Sequence, residues 1–150
     1  AKNLLINLKK EDVVISLSAP SKIPVEWLAQ AKAKINIHCG KFPKYAGMMP
    51  IFWQIHDSLD EISITLHDLA KDIDTGKVFL ERKIKLSHSL YETSRLAKRQ
   101  SAYLLKEFLE NVESNIEKAK GKQFFREEIV LRKFPTKKEI KEFKKIYKLI

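Results

Sequence analysis

The chain has 150 residues, 44% of them apolar, which is enough material for one buried core. It offers neither the roughly 18 uncharged apolar residues of a membrane span nor a basic-then-apolar leader, and its one cysteine, Cys39, has no internal disulfide partner, so a soluble, cytoplasmic protein is expected. The net charge of +10 is unevenly spread: residues 118–150 hold 12 Lys and Arg against 4 Asp and Glu, while the rest holds 17 against 15, so a basic extension follows a nearly neutral body.

In chain order, Lys2 to Lys10 reads as the end of a helix, and Asp12 to Leu17 as a short apolar strand of the kind buried on both faces of a parallel sheet. Pro24 at a first helical position predicts a helix from Pro24 to Lys32, followed by a strand from Lys34 to His38. Cys39 to Met49 contains two Gly and a Pro and reads as a loop, after which Pro50 to His56 opens a helix. Ile62 to His67 and Val78 to Leu86 alternate as strands, joined by the loop Asp68 to Gly76. Ser89 with Glu92 forms a capping pattern ahead of a long helix whose apolar face is Leu90, Ala97, Leu104, Leu105, Phe108 and Val112. Thr136 with Glu139 repeats that pattern, and Ile140, Phe143, Tyr147 and Ile150 mark an amphipathic helix with a lysine-rich opposite face, which is most simply solvated. These elements describe an α/β fold.

Three residues carry candidate chemistry. Asn36 and His38 fall at the end of one predicted strand, and Asp74 lies in the loop after another. In open α/β sheets ligands bind beyond the carboxyl ends of the strands, so the three are expected to meet in one crevice there. An amide can donate to a developing oxyanion without a protonation requirement. An imidazole near neutrality can donate or relay a proton, and a carboxylate beside it can fix its tautomer and accept a proton from an attacking amine. Together they suit acyl transfer to an amine. On residue type alone, an Asn-x-His at a strand end and an Asp before Thr75-Gly76 also suit structural roles.

Cys39 next to His38 invites a thiol nucleophile, but adjacent strand residues point to opposite faces. His67 is expected to brace the following loop by a hydrogen bond. His56 and His88 read as helix-end and loop residues without metal-ligand spacing, so no metal is expected. Of Phe52 and Trp53, one should be core and the other could line an acceptor site.

The run from Ile35 to Ile55, with Asn36-Ile37-His38, then Pro43, Gly47 and Pro50, resembles the signature of the folate-dependent formyltransferases. The likeness continues through Ser63 to His67, Asp72-Ile73-Asp74-Thr75-Gly76 and the strand from Val78, and upstream through Asp12 to Leu17 and Ile23-Pro24, covering about residues 10 to 115. The resemblance implies a mostly parallel, Rossmann-like formyltransferase sheet with flanking helices. It divides the chain into a catalytic region, 1–115, and a basic extension, 116–150. It implies transfer of a formyl group from 10-formyltetrahydrofolate to a primary amine, with Asn36, His38 and Asp74 as catalytic residues and no metal. By the same analogy Pro20, Ile23, Leu69, Ala70, Lys71, Ile73 and Asp74 would hold the folate, largely through backbone groups.

Two departures bear on the acceptor: Gly40 stands where the family usually has Ser, and Phe42 where it usually has Leu. Only the end of a predicted helix precedes the strand at Val13, whereas the family begins with several βα units. With Ala rather than Met at position 1, the chain is expected to be part of a longer protein, or to have that sheet edge filled by another subunit. The ending from Phe134-Pro135-Thr136 to Phe143 resembles sugar N-formyltransferase tails and favours a nucleotide-linked amino sugar as acceptor. Initiator methionyl-tRNA is the alternative, followed by hydrolysis of formyltetrahydrofolate and an inactive folate-binding fragment. A homo-oligomer is possible, and no membrane partner is expected.

Overall fold

Ile62 to His67 alternates apolar and polar side chains, and in a strand that alternation sends Ile62, Ile64 and Leu66 to one face and Ser63, Thr65 and His67 to the other. The computed structural model describes residues 7–19, 22–119 and 123–149. Its strands are β1 (Val13–Ser16), β2 (Ala33–His38), β3 (Ala46–Gly47), β4 (Glu61–Asp68), β5 (Val78–Lys85) and β6 (Leu131–Arg132). Four form one sheet in the order β1-β2-β4-β5, and β3 pairs with β6 in a second, two-stranded sheet.

In the main sheet β1 and β2 are parallel, while β4 is antiparallel to both β2 and β5. Strands β1, β2 and β5 therefore run the same way and β4 alone opposes them, giving the α/β sheet with a co-directional majority. The antiparallel pairing of β4 with β5 has a simple cause. Between Asp68 and Val78 the chain is too short for the crossover of a dozen or more residues that a parallel neighbour requires.

The helices are α1 (Pro50–His56), α2 (Leu90–Glu110), α3 (Val112–Lys118) and α4 (Lys137–Ile146). Helices α1 and α2 touch each other and β4, and α4 touches α1. Against them lie Ile35, Ile62, Ile64 and Leu66, all fully buried, together with Ala97, Leu104 and Phe108 of α2. Ser89 caps α2 as its spacing predicts, accepting the Glu92 amide at 3.2 Å. That stripe stops before Val112, which lies past the break at Asn111 and begins α3.

Neither of the first two expected helices is formed among the described residues. Most of Lys2 to Lys10 lies outside the described residues, and Asn7 to Lys10 is non-helical, with the Lys9 amide donating to the Asp12 carboxylate at 2.7 Å. Pro24 to Lys32 folds only as one 3₁₀ turn, Val25–Leu28. Its apolar residues form no stripe: Leu28 is buried but Trp27 is 52% exposed, and the Lys32 amide is drawn to the Asp12 carbonyl at 2.8 Å.

The basic C-terminal segment packs into the same core as the body. The Val130 amide bonds the Pro43 carbonyl at 2.9 Å, and β6 aligns Leu131 and Arg132 with Ala46 and Gly47. The Thr136–Glu139 capping box closes the start of α4, with the Thr136 amide 2.6 Å from a Glu139 carboxylate oxygen. Phe143 is fully buried and stacked on Phe52, with ring centroids 4.4 Å apart, whereas Lys137, Lys138, Lys141, Lys144 and Lys145 are exposed. No helix among the described residues is long and apolar enough to cross a membrane. Phe143→Ala should cost about 3–5 kcal/mol of stability by urea denaturation, the range for removing a buried ring; a loss below about 1 kcal/mol would show that α4 adds little to the core.

Candidate active site

The polar face of the sheet is assembled by register. Asn36 lies opposite His67, and His38 opposite Thr65. Asn36 Nδ2 is 3.1 Å from His67 Nε2, and His67 Nδ1 is 2.9 Å from the Asp68 carbonyl. A carbonyl only accepts, so Nδ1 carries the proton of the neutral ring, and Nε2 accepts from the Asn36 amide. Burial pushes the His67 pKa down to about 4, against the opposing pull of Asp74, so the ring is neutral around pH 7 and keeps this acceptor role. His67 thus makes the expected loop-bracing bond, and also fixes which end of the Asn36 amide faces it. One Asn36 N–H is used here; the second is available to an incoming oxygen.

His38 is tied to the next loop. Its Nε2–H donates to the Tyr45 carbonyl at 2.6 Å, which leaves Nδ1 facing Asp74 Oδ2 at 3.7 Å. The same Oδ2 accepts the Gly47 amide at 2.8 Å, and Oδ1 lies 3.5 Å from His67 Nε2. His38 is 8% exposed and Asp74 9%, so the two groups face each other with little water between them. The three predicted residues are therefore brought together, with His67 as a fourth member.

They meet at the carboxyl end of β2, whose last residue is His38, but Asp74 reaches that end by a detour. Because β4 opposes β2, Asp68 lies beside Ile35, and the loop that follows folds back across the polar face to deliver Asp74. Two features shape that loop. Asp74 has φ of 56°, in the left-handed region that Asp tolerates better than most residues. At Gly76 a Cβ would sit 1.7 Å from the Asp68 carbonyl oxygen, so only glycine closes the loop without displacing backbone.

The two departures from the formyltransferase pattern both touch His38. A Cβ on Gly40 would stand 2.5 Å from His38 Nε2 and 2.4 Å from the Tyr45 oxygen, so glycine leaves room for their hydrogen bond. The Phe42 ring packs against His38 and His67, with centroids 5.5 and 4.8 Å away. Thr65 Oγ1 donates to the Gly40 carbonyl at 2.7 Å, and buried Gln54 bridges the Cys39 carbonyl and the Ser63 amide, both at 2.9 Å. Sequence reasoning missed the Tyr45 carbonyl and the Gly47 amide because backbone groups leave no signal in residue type. Spacing in the Asn-x-His loop was the one available pointer.

Other candidates fall elsewhere. Cys39 lies on the opposite face, its sulfur 4.0 Å from Ser101 Oγ of α2, and burial pushes its thiol pKa up, away from thiolate. Phe52 and Trp53 are both buried, and the Trp53 indole donates to the Lys133 carbonyl at 2.9 Å, so neither is free to line an acceptor site. His56 ends α1 and His88 precedes α2. Among the described residues no cluster of three His, Cys, Asp or Glu is placed to hold a metal ion.

Of the residues expected to hold folate, Pro20 lies outside the described residues. Ile23 belongs to the segment that, with Lys71, borders a cleft of about 230 Å³ lined by Lys22, Pro24, Val25, Glu26 and Lys71. Ile73, 51% exposed, and Ala70 lie on the same loop as Lys71. The Leu69 amide is spent on the Lys34 carbonyl at 2.8 Å, which removes one expected backbone donor to a ligand. Asn36, His38 and Asp74 do not line this cleft.

No family model matches the chain. Over 79 residues, 52% of the chain, it is 28% identical to methionyl-tRNA formyltransferase of Lacticaseibacillus casei and 29% identical to GDP-perosamine N-formyltransferase of Brucella melitensis, covering 25% and 30% of those proteins. In fold it is similar to an N-formyltransferase of Helicobacter canadensis solved with folinic acid and dTDP-3-aminofucose. That match has a TM-score of 0.64 at 22% identity and spans 91% of this chain and 55% of the other. The fold is that of the formyltransferases. The relatives in sequence are likewise formyltransferases, of methionyl-tRNA and of sugars, matching the folate-dependent formyltransferase family; the chain spans about a quarter to a third of the length of these curated relatives.

The depressed His67 pKa has a consequence for stability. An unfolded His titrates near pH 6.5 and native His67 near 4, so between these values the unfolded chain binds more protons and stability falls as pH falls. From pH 7 to pH 5 the chain should lose on the order of 2 kcal/mol more than its His67→Gln variant. Urea midpoints at the two pH values measure this, and equal losses would contradict a neutral, buried His67.

Proposed function

We propose that this chain is the catalytic region of a formyltransferase that moves a formyl group from 10-formyltetrahydrofolate to a primary amine. The observation that carries the reading is the assembly of Asn36, His38 and Asp74 at one polar sheet face, His38 Nδ1 facing the Asp74 carboxylate directly and Asn36 joined to it through His67. The cleft between Lys22–Glu26 and Lys71 suits one edge of a flat, amide-bearing heterocycle, with lysines at hand for carboxylates. When bound, the folate supplies the activated formyl carbon.

The chain's own residues then have distinct tasks. The spare Asn36 N–H donates to the formyl oxygen as negative charge grows there, a contribution of about 3–4 kcal/mol in comparable sites. His38, anchored through Nε2, presents Nδ1 as the one ring position that can exchange a proton. Asp74 takes the proton that the attacking amine must lose, directly or through a water, and that proton returns to the departing folate nitrogen as its bond to the formyl carbon breaks. Neutral His67 holds the Asn36 amide without competing for that proton.

For the acceptor we favour a nucleotide-linked amino sugar. The fold neighbour solved with dTDP-3-aminofucose and the GDP-perosamine N-formyltransferase relative support that choice. Methionyl-tRNA is the second reading, supported by the methionyl-tRNA formyltransferase relative.

In the protein that carries this chain, His38→Ala should lower amine formylation by at least ~100-fold while folate binding persists. Wild-type turnover in that variant would refute the assignment, and formate release without any amine would point to a hydrolase. Supplying nucleotide-linked amino sugars in parallel with methionyl-tRNA decides between the acceptors.

A further inference from the structure

Neither backbone partner of the imidazole–carboxylate pair belongs to a rigid element of its own. The Tyr45 carbonyl directly precedes β3, a strand of two residues, and the Gly47 amide lies within it. What holds β3 is the C-terminal segment. Gly47, at φ 90°, lies directly beside Arg132 in the parallel β3–β6 pair, so closely that a Cβ there would be 2.4 Å from the Arg132 carbonyl oxygen. That same oxygen accepts the Met48 amide at 2.9 Å.

The Arg132 side chain grips the loop from a second side. Its guanidinium carbon lies 5.4 Å from the Tyr45 ring centroid and 5.1 Å from that of Trp53, within cation–π range of both. Nη2 is 2.5 Å from the Asp57 carboxylate, and Nε is 3.4 Å from the Lys44 carbonyl. The arginine thus joins the end of α1 to residues 44–47, one peptide away from both contacts that locate His38 and Asp74. A lysine could keep the charge beside Asp57 but not the planar layer between two aromatic rings.

We infer that Arg132 is a positioning residue of the candidate active site: through Tyr45 and Gly47 it fixes the separation of His38 Nδ1 from the Asp74 carboxylate. The inference rests on the proposed function for its effect on turnover, but its geometric core stands apart from it. Residues 129–133 are on this reading a working part of the site, although they touch neither reacting group.

The test is histidine imidazole NMR on the ¹⁵N-labelled chain, with hydrogen exchange read at two N–H groups. His38 Nε2–H, bound to the Tyr45 carbonyl, reports the clamp. His67 Nδ1–H, bound to the Asp68 carbonyl, reports the sheet. In Arg132→Ala the His38 proton should exchange about tenfold faster or more, the worth of one net hydrogen bond, while the His67 proton is unchanged. If Arg132→Ala does not fold, Arg132→Lys serves instead and should show the same selective loss. Wild-type exchange at His38 in a folded variant, or equal acceleration at both histidines, overturns the inference. In the whole protein, Arg132→Lys should lower kcat with little change in KM for the folate. If no formylation is found in any form, the functional proposal fails while the exchange experiment still decides the role of Arg132.

Discussion

A carboxylate nine-tenths hidden from water has to be compensated, and the way Asp74 is compensated organises the rest of this molecule. Asp74 accepts one hydrogen bond, from the Gly47 amide at 2.8 Å, while His67 Nε2 and His38 Nδ1, the ring nitrogens left without a proton by their other hydrogen bonds, face it at 3.5 and 3.7 Å. None is a permanent full charge. The Gly47 amide is thus the one hydrogen-bond donor to the Asp74 carboxylate among the described residues. Each partner is in turn fixed from behind: His38 by the Tyr45 carbonyl, His67 by the Asp68 carbonyl, and Gly47 by β6.

This arrangement explains why the sheet has one wholly apolar and one polar face where the strands meet. On the apolar side Ile35, Ile62, Ile64 and Leu66 are sealed by α1 and α2, and supply the cohesion. On the polar side Asn36, His38, Thr65 and His67 have every buried polar atom partnered among the described residues. Period-two alternation in two neighbouring strands is enough to separate cohesion from chemistry, because cross-strand pairing then places Asn36 against His67 without further design.

That logic also sets what could be read in advance. The alternation of Ile62 to His67 was legible, as were the caps at Ser89 and Thr136 and the helix at Pro50, because each is a local rule written in side chains. The Asn-x-His and the distant Asp were legible through a family pattern. The direction of β4 was not, since side-chain period is the same in either direction; only the length of the following loop constrains it. Nor was the failure of Pro24 to Lys32 to form a full helix, where a strand ladder starting at Lys32 competed for the backbone. The two-residue strands β3 and β6 are too short for any periodicity, yet they supply the contacts that complete the site.

The stacking of Phe143 on Phe52 sets a practical limit on how the lysines of α4 can be studied. Truncation of the tail would strip a ring from the core and unseat β6 beside Gly47, so any lost affinity for a polyanion would be mixed with partial unfolding. Charge-swap variants at Lys141, Lys144, Lys145 and Lys148, which all point to solvent, alter the electrostatic surface and leave the hydrophobic seat of the helix in place.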